Sequence, residues 1–214
     1  MATLDPRLLR IYVVTSRGLV PGRDHRDVAL AAIEGGAGAV QLRAPELSAT
    51  ELRPLAEELQ EPCRRAGVLF LVNDRVDVAV AVGAGAHVGQ RDDPRAARTL
   101  PGPRAALGIS VSNVEEALAA VAAGADYLGF TVWTTTTKPE AVPRGIHRLR
   151  DVVDAVDVPV VAIGGIDATN AREVLEGGGA SGVAVVSAIG AAPDPVAATR
   201  ALVEIVERLR VGEP

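Results

Sequence analysis

Carboxylates follow two apolar runs of the chain, at points where predicted strands end. Asp74 comes after residues 69–72, and Asp92 and Asp93 come after residues 86–88. Carboxylates on neighbouring loops suit Mg²⁺, which takes one or two protein carboxylates and completes its octahedron with water and phosphate oxygens. A structural role is the alternative, since aspartate is common in turns and at helix N-caps. Spacing alone leaves both roles open. It also leaves open whether Asp92 or Asp93 caps the following helix.

Cationic and hydroxyl side chains follow two further apolar runs. Arg43 ends the run at residues 39–43, and its planar guanidinium suits a phosphate or a carboxylate. Four threonines, residues 134–137, lead into Lys138, which is the only lysine of the chain. Hydroxyl donors beside one ammonium suit an oxyanion. An ordinary surface arginine and a loop of accidental composition are the alternatives.

The elements that must position these residues alternate along the chain. Apolar runs predict strands near residues 10–15, 39–43, 69–72, 86–88, 105–108, 127–130, 158–163 and 182–185. Helical patterns lie between them, as at residues 50–66, 114–123, 170–176 and 195–209. The strands lack polar–apolar alternation, so we expect both faces of the sheet to be covered. Alternation of strands and helices indicates parallel strands joined by crossover helices.

The number of predicted strands distinguishes between the two common parallel folds. Eight strands in 214 residues leave about 27 residues per βα unit, which is compact for a barrel. A doubly wound open sheet would have fewer strands and a GxGxxG turn after the first, which is absent. We therefore predict an α/β fold, a single (β/α)8 barrel over residues 1–214.

A weak repeat supports the barrel. At four places a helical pattern ends in glycine, followed by alanine and the next strand, and we expect these glycines to be left-handed helix caps: Gly36, Gly85, Gly124 and Gly179.

In such a barrel, the loops that follow the strands meet at one face and carry the chemistry. Ser110 follows the fifth predicted strand and is expected to face this mouth. Gly165 and Ser187 lie in the loops after the seventh and eighth strands, where barrels of this kind usually bind phosphate. This pair indicates a phosphorylated ligand without indicating a reaction.

Composition excludes several classes of protein. A net charge of −5 and a pI near 5.3 argue against a surface built for nucleic acid. Cys63 is the only cysteine, which excludes an intramolecular disulfide and a cysteine-based zinc site. No apolar run approaches the ~18 residues of a membrane-spanning helix, and residues 1–10 lack the pattern of a secretory signal. We therefore expect a cytoplasmic protein without nucleic-acid or membrane partners.

The ordered motifs of the chain resemble those of the thiamine phosphate synthase family. Within residues 10–208 they are QxR at 41–43, ND at 73–74, HxGQxD at 87–92, GxS at 108–110, TxTK at 135–138, GGI at 164–166 and VSAI at 186–189. GGI is common to many barrels, whereas ND, HxGQxD and TxTK in this order are specific. His87 within HxGQxD is expected to be structural rather than an acid or base.

The resemblance implies a transferase that joins hydroxymethylpyrimidine diphosphate to hydroxyethylthiazole phosphate and releases diphosphate. By the family's pattern, Mg²⁺ is held by Asp74 and Asp92. The implied substrate contacts are Gln41, Arg43, Asn73 and Ser110 for the pyrimidine diphosphate, Thr135, Thr137 and Lys138 for the phosphates of both substrates, and Gly165 and Ser187 for the thiazole phosphate. Those expected to act in catalysis are Arg43, Ser110 and Lys138.

Two departures from the family's pattern keep other functions open: Pro45, and Phe130-Thr131, where the family usually has Gly-Pro or Gly-His before its aromatic position. Pro45 stands where the family's QxRxK motif has a lysine, which admits a non-catalytic barrel that binds a thiamine-related phosphate and regulates. A thiazole tautomerase-like paralogue is another alternative, although such proteins use a histidine where this chain has Thr131. An unrelated phosphate-sugar isomerase would leave TxTK unexplained. The expected partners are small phosphorylated pyrimidine and thiazole substrates, and a homo-oligomer stays open.

Overall fold

The computed structural model describes residues 4–89, 106–134 and 142–211. Its strands are β1 (Ile11–Val14), β2 (Ala39–Leu42), β3 (Leu69–Asn73), β4 (Gly85–Val88), β5 (Leu107–Val111), β6 (Tyr127–Thr131), β7 (Val160–Ile163) and β8 (Gly182–Val185). Its α-helices are α1 (His25–Glu34), α2 (Ala49–Ala66), α3 (Val76–Val82), α4 (Val114–Ala122), α5 (Gly145–Ala155), α6 (Ser187–Gly190) and α7 (Pro195–Val211).

The strands close into one parallel barrel. Each strand pairs with the next in sequence, and β8 pairs with β1 to complete the ring. The predicted α/β class and (β/α)8 barrel are therefore confirmed. The strand ends differ from the prediction by up to three residues, and two of these differences move predicted site residues into strands: Asn73 is the last residue of β3, and β5 extends to Val111. Ser110 therefore lies within β5 rather than in the loop after it.

Capping side chains set where the helices begin. At α2, Ser48 Oγ accepts the N–H of Glu51, while the Glu51 carboxylate accepts the N–H of Ser48. At α4, Asn113 Oδ1 accepts the N–H of Glu116 at 2.9 Å. Each cap satisfies a backbone donor that the first turn of a helix leaves without an intrahelical partner.

Three of the four predicted glycine caps are left-handed. Gly36, Gly124 and Gly179 have φ values of 91°, 94° and 71°. Gly85 is a correction, because it is the first residue of β4, and the cap of α3 is Gly83, with φ 72°. Where the sequence predicts a helix over residues 170–176, the structure has π-helical turns at Glu173–Gly177.

Apolar side chains form two cores, one on each face of the barrel wall. The larger core lies between the wall and the helices, and α2 contributes Leu52, Ala56, Leu59 and Cys63 at the spacing of one helix face. The smaller core fills the barrel itself with mostly small side chains: Leu9, Tyr12, Val14, Ala39, Leu71, Ala106, Tyr127, Val161 and Ala184. An eight-stranded barrel is just wide enough for such side chains to fill it.

The amino end of the barrel is closed by the segment that precedes β1. A 3₁₀ helix, Pro6–Leu9, leads into β1, and Leu9 is fully buried. A Cβ on Gly182 would overlap the carbonyl oxygen of Leu9. Close backbone contact at the amino end leaves the other end of the barrel as the place for a cavity.

No helix within the described residues is long and apolar enough to cross a membrane.

Replacing Gly182 by alanine should destabilise the protein by about 1–3 kcal/mol or more, because a fixed backbone carbonyl occupies the space of the new methyl group. Gly177→Ala is the matched control, since its Cβ would meet only the Ile146 side chain, at an ordinary 3.8 Å. Urea unfolding of both variants measures the difference. Equal stability of the two variants would contradict the close packing at this end.

Candidate active site

A cavity opens at the carboxyl end of the barrel. The space inside it, with the open mouth included, is about 730 Å³. Apolar residues such as Val161, Ile163 and Ala184 line one part of it. Polar side chains from β1 to β6 line the rest, and these are Tyr12, Gln41, Arg43, Asn73, His87, Ser110, Tyr127 and Thr131.

Four of the predicted site residues meet on the wall of this cavity. They come from three strands and one strand end, and they are Gln41, Arg43, Asn73 and Ser110. Strand register explains the convergence: Asn73 pairs with His87, and His87 pairs with Gly108, two residues before Ser110 on the same face. Parallel register thus places inward-facing positions of neighbouring strands at similar depth.

Three more predicted residues are exposed at the rim, each next to a residue that lines the cavity. Asp74 follows Asn73 and has φ 59°, with its N–H donating to the His87 carbonyl at 2.8 Å. Gly165 follows the lining residue Gly164, and Ser187 follows Val186 and begins α6. The remaining predictions lie outside the described residues: Asp92, Thr135, Thr137 and Lys138, together with the choice between Asp92 and Asp93 as a helix cap.

Sequence reasoning missed a chain of hydrogen bonds that crosses the barrel interior. Gln41 Nε2 donates to the Tyr12 hydroxyl, which lies 2.9 Å from the hydroxyl of Tyr127. That second hydroxyl is 2.9 Å from Nδ1 of His87, whose Nε2 is 3.0 Å from Ser110 Oγ. Burial raises the pKa of Tyr12 and also that of Tyr127, so both phenols keep their protons. The two phenols of this hydrogen-bond chain are therefore neutral polar groups.

Two glycines make room for this chain of hydrogen bonds. A Cβ on Gly108 would overlap both the ring of Tyr127 and the ring of His87. A Cβ on Gly129 would come within 2.9 Å of His87 Cε1. Glycine inside a strand often marks such a close approach, so Gly108 and Gly129 within predicted strands were the pattern that could have indicated it.

Comparison with known proteins places the chain in a family. Residues 11–189 match the family model described as thiamine monophosphate synthase. The chain belongs to the thiamine monophosphate synthase family. It is 52% identical to the thiamine-phosphate synthase of Chloroflexus aurantiacus over 201 residues, with 92% of each chain covered. It is 42% identical to that of Methanospirillum hungatei over 200 residues, covering 92% of this chain and 97% of the relative.

A solved relative has the same architecture. The thiamine phosphate pyrophosphorylase from Pyrococcus furiosus superposes with a TM-score of 0.87 at 41% identity, covering 95% of this chain and 98% of that one. The predicted family, synthase function, barrel fold and transferase class are confirmed by these relatives. The roles of individual site residues in this family member stay predictions.

In this synthase-family chain, a cluster around the buried Thr15 and His25 ties the loop after β1 to the loop after β2, with Glu46 and Arg17 on its exposed side. Thr15 Oγ1 accepts the N–H of Arg43 at 3.1 Å and lies 3.0 Å from Nδ1 of the buried His25. Nε2 of His25 is 2.8 Å from the Glu46 carboxylate, and Arg17 lies 3.6 Å from the same oxygen. The cluster therefore fixes the backbone from which the Arg43 guanidinium extends.

The electrostatics of Glu46 follow from the same cluster. Burial acts to raise the pKa of Glu46, but hydrogen bonds from His25 and the backbone, with the charges of His25 and Arg17, outweigh it. The net effect is a pKa below the usual value for glutamate. The carboxylate is consequently the favoured form of this side chain in the folded state.

The loops after β6 and β7 are in direct contact. Gly164 has φ 105°, and a Cβ on it would overlap the carbonyl oxygen of Trp133. A Cβ on Gly165, with φ 62°, would come within 2.9 Å of the Thr134 carbonyl oxygen. The TxTK motif begins one residue after Thr134, so its loop leaves β6 directly against the GGI motif.

Replacing Gly164 by alanine should reduce ligand affinity at the mouth and lower the melting temperature, because the new methyl group overlaps the Trp133 carbonyl. Gly83→Ala is the matched control, because it is also left-handed, with φ 72°, but has open space around it. Calorimetric binding of inorganic diphosphate and thermal unfolding measure the two effects. If both variants bind diphosphate equally well, the contact between these loops does not shape the site.

The Glu46 cluster should contribute pH-dependent stability. Because the folded-state pKa lies below the unfolded value, this stability is fully present above the unfolded pKa of about 4.3 and is lost as pH falls through the folded pKa. Glu46→Gln should therefore lower the free energy of unfolding by a few tenths to about 1 kcal/mol at pH 7, and the difference should close in acid.

Unfolding of Glu46→Gln by urea between pH 3 and pH 7 checks this expectation. Glu34→Gln, at the exposed end of α1, serves as the control and should not reproduce the loss. A stability difference for Glu46→Gln that stays constant over the whole range would show that the carboxylate charge is not its source.

Proposed function

We propose that this chain joins hydroxymethylpyrimidine diphosphate to hydroxyethylthiazole phosphate and releases diphosphate, as a thiamine phosphate synthase whose site residues are those of its motifs. One observation carries the proposal for the site. Gln41, Arg43, Asn73 and Ser110 are far apart in sequence yet line one cavity at the end of the barrel where such enzymes act.

The cavity divides into a neutral part and a charged rim, which suits a substrate with two unlike ends. Gln41 and Ser110 offer uncharged hydrogen-bonding groups to a heterocycle in the interior. Arg43 and the amide of Asn73 lie nearer the strand ends, where a guanidinium binds diphosphate oxygens without being fully desolvated. Thr135, Thr137 and Lys138 keep the phosphate-bridging role given by the family resemblance, and Gly165 and Ser187 keep the thiazole phosphate.

The reaction needs positioning and charge stabilisation rather than a covalent intermediate. The bond between the pyrimidine methylene carbon and the diphosphate oxygen breaks, and its electron pair leaves with the diphosphate. The thiazole nitrogen then donates its lone pair to the methylene cation and forms the new C–N bond. None of the described cavity-lining residues is Cys, Asp, Glu or Lys, so this part of the wall offers no strong nucleophile to intercept the cation.

Arg43 stabilises the charge that grows on the departing diphosphate, as does Lys138 by its family role. The apolar wall formed by Val161, Ile163 and Ala184 limits the access of water, which would otherwise capture the cation.

The donor chemistry at the rim fits Mg²⁺. Asp74 is exposed beside Asn73, and its left-handed backbone is held by the bond to the His87 carbonyl. No group of three or more potential metal ligands occurs among the residues that the structure describes. A site of one or two carboxylates is what Mg²⁺ uses when substrate phosphates complete its shell. Asp74 and Asp92 would hold the ion, which when bound neutralises charge on the diphosphate.

A coupling assay tests the proposed function. Purified protein with both substrates and Mg²⁺ should form thiamine phosphate, measured as thiochrome fluorescence, and chelator should abolish it. Asp74→Asn should lower the rate at least about tenfold, equivalent to about 1.4 kcal/mol of transition-state stabilisation. Arg43→Gln should cost roughly 10- to 150-fold, the loss expected for a charge-assisted hydrogen bond.

Asp77→Asn is the matched control, because Asp77 is an exposed aspartate of α3 that pairs with Arg75 and not with the cavity. It should retain full activity. Equal activity of the Asp74 and Asp77 variants would remove the metal assignment. Folded protein that forms no product would remove the synthase proposal and leave a binding barrel or an isomerase, to be tested with the thiazole phosphate alone.

A further inference from the structure

The hydrogen-bond chain from Gln41 to Ser110 has a direction. Nε2 of Gln41 donates to the Tyr12 hydroxyl, so that oxygen is an acceptor from this side. The one proton of Tyr12 then goes to its other neighbour, the hydroxyl of Tyr127. That oxygen in turn gives its proton to Nδ1 of His87. With Gln41 as the donor at one end, each phenol proton has an acceptor only in this order, and a buried donor without an acceptor is costly.

The tautomer of His87 follows from this order. Nδ1 accepts from Tyr127, so the neutral ring carries its proton on Nε2 and donates it to Ser110 Oγ at 3.0 Å. The hydroxyl proton of Ser110 is then left to point into the cavity. At the other end of the chain, no described residue donates to Oε1 of Gln41, so this oxygen is left as an acceptor on the cavity wall.

We propose that Tyr12, Tyr127 and His87 are positioning residues that fix the hydrogen-bonding direction of the cavity wall, with a donor at Ser110 and an acceptor at Gln41. The inference rests on the proposed function and adds the recognised chemistry to it. The complementary ligand is an aminopyrimidine in its neutral amino form, whose exocyclic N–H groups donate and whose unprotonated ring nitrogen accepts. A 4-oxo pyrimidine, with a carbonyl acceptor and a ring N–H donor, presents the opposite pattern.

The Gln41 end of the wall does not adapt to the opposite pattern by one local change. Reversal requires Gln41 to turn its amide, both phenol protons to turn round, and the proton of His87 to move from Nε2 to Nδ1. The two tyrosines are buried and Gln41 is buried beside them, so these changes must occur together. A site of this kind rejects a ligand whose donors and acceptors are exchanged, because buried polar groups would be left unpaired.

The same direction excludes one alternative chemistry for Ser110. A histidine that activates a serine nucleophile must accept the hydroxyl proton of that serine. Nε2 of His87 already carries a proton and donates to Ser110, so the pair does not act as nucleophile and base. This agrees with a coupling reaction that proceeds without a covalent intermediate.

The first test is the tautomer of His87 in the full-length wild-type protein without substrate. The ¹⁵N chemical shifts of labelled histidine distinguish Nε2–H from Nδ1–H, and the signals of His87 are assigned by their loss in His87→Gln. We expect Nε2–H for His87, and Tyr127→Phe should shift its Nδ1 signal. The Nδ1–H tautomer would overturn the proposal. The result does not depend on turnover, so it stands or falls separately from the synthase proposal.

The second test is discrimination between the 4-amino and 4-oxo pyrimidine diphosphates. Wild-type protein should favour the amino compound by at least about 10³-fold in kcat/KM, and Tyr12→Phe or Tyr127→Phe should lower this ratio about tenfold. Both variants keep the aromatic ring in place and break the chain of hydrogen bonds. Thr199→Val is the control, because it removes a buried hydroxyl that donates to the Pro195 carbonyl in α7 and takes no part in the chain of hydrogen bonds.

The control should retain the wild-type ratio even where its melting temperature falls. If the tyrosine variants also retain the ratio and lose only stability, the chain is structural and the proposal is wrong. Should the protein show no coupling activity, the dissociation constants of the two diphosphates, measured by calorimetry, give the same ratio and the same two outcomes.

Discussion

The pairing of β8 with β1 closes the sheet, and this closure limits what the interior can hold. A ring of eight strands has room for few side chains per layer, so a large residue on one strand requires small ones beside it. Tyr12 pairs in register with Ala39 on one side and Ala184 on the other. Tyr127 pairs with Gly108. The two tyrosines thus occupy space that their neighbours leave, and this brings their hydroxyls together at the centre.

Burial then determines the chemistry that each level of the barrel carries. Unpaired charges are costly to bury, whereas neutral polar groups are tolerated when they bond to one another. Gln41, the tyrosines and His87 satisfy this condition within the barrel, and the ionised side chains Arg43 and Asp74 lie nearer the solvent at the strand ends. A substrate with a neutral heterocycle and a charged diphosphate matches this gradient from interior to rim.

Much of the fold and part of the site follow from the sequence. Alternating apolar runs and helical patterns predict the barrel, and Gln41, Asn73 and Ser110 stand out because they are polar residues next to such runs. Tyr12 and Tyr127 do not stand out, since a tyrosine in an apolar run has the pattern of an ordinary core residue. Their contact joins positions 115 residues apart, and only the closed register brings them together.

The wrong prediction of a helix cap at Gly85 has a similar cause. Gly83 follows α3 and Gly85 begins β4, and pattern alone does not show which of the two is left-handed. The structure separates them, because a Cβ on Gly85 would come within 2.8 Å of Leu71 Cδ2 inside the barrel, whereas Gly83 has open space. Gly85 is therefore a glycine for reasons of packing against the neighbouring strands, and such contacts between strands are not visible in local sequence.

The loop after β6 also carries the residue responsible for tryptophan fluorescence in this protein. Trp133 is the only tryptophan of the chain, and its carbonyl lies against Gly164 on the cavity wall. Intrinsic fluorescence excited at the red edge of indole absorption therefore originates from one residue of the loop after β6, whose side chain packs against the larger core. The natural protein thus carries a single optical probe in the loop that contacts the GGI motif, without any introduced label.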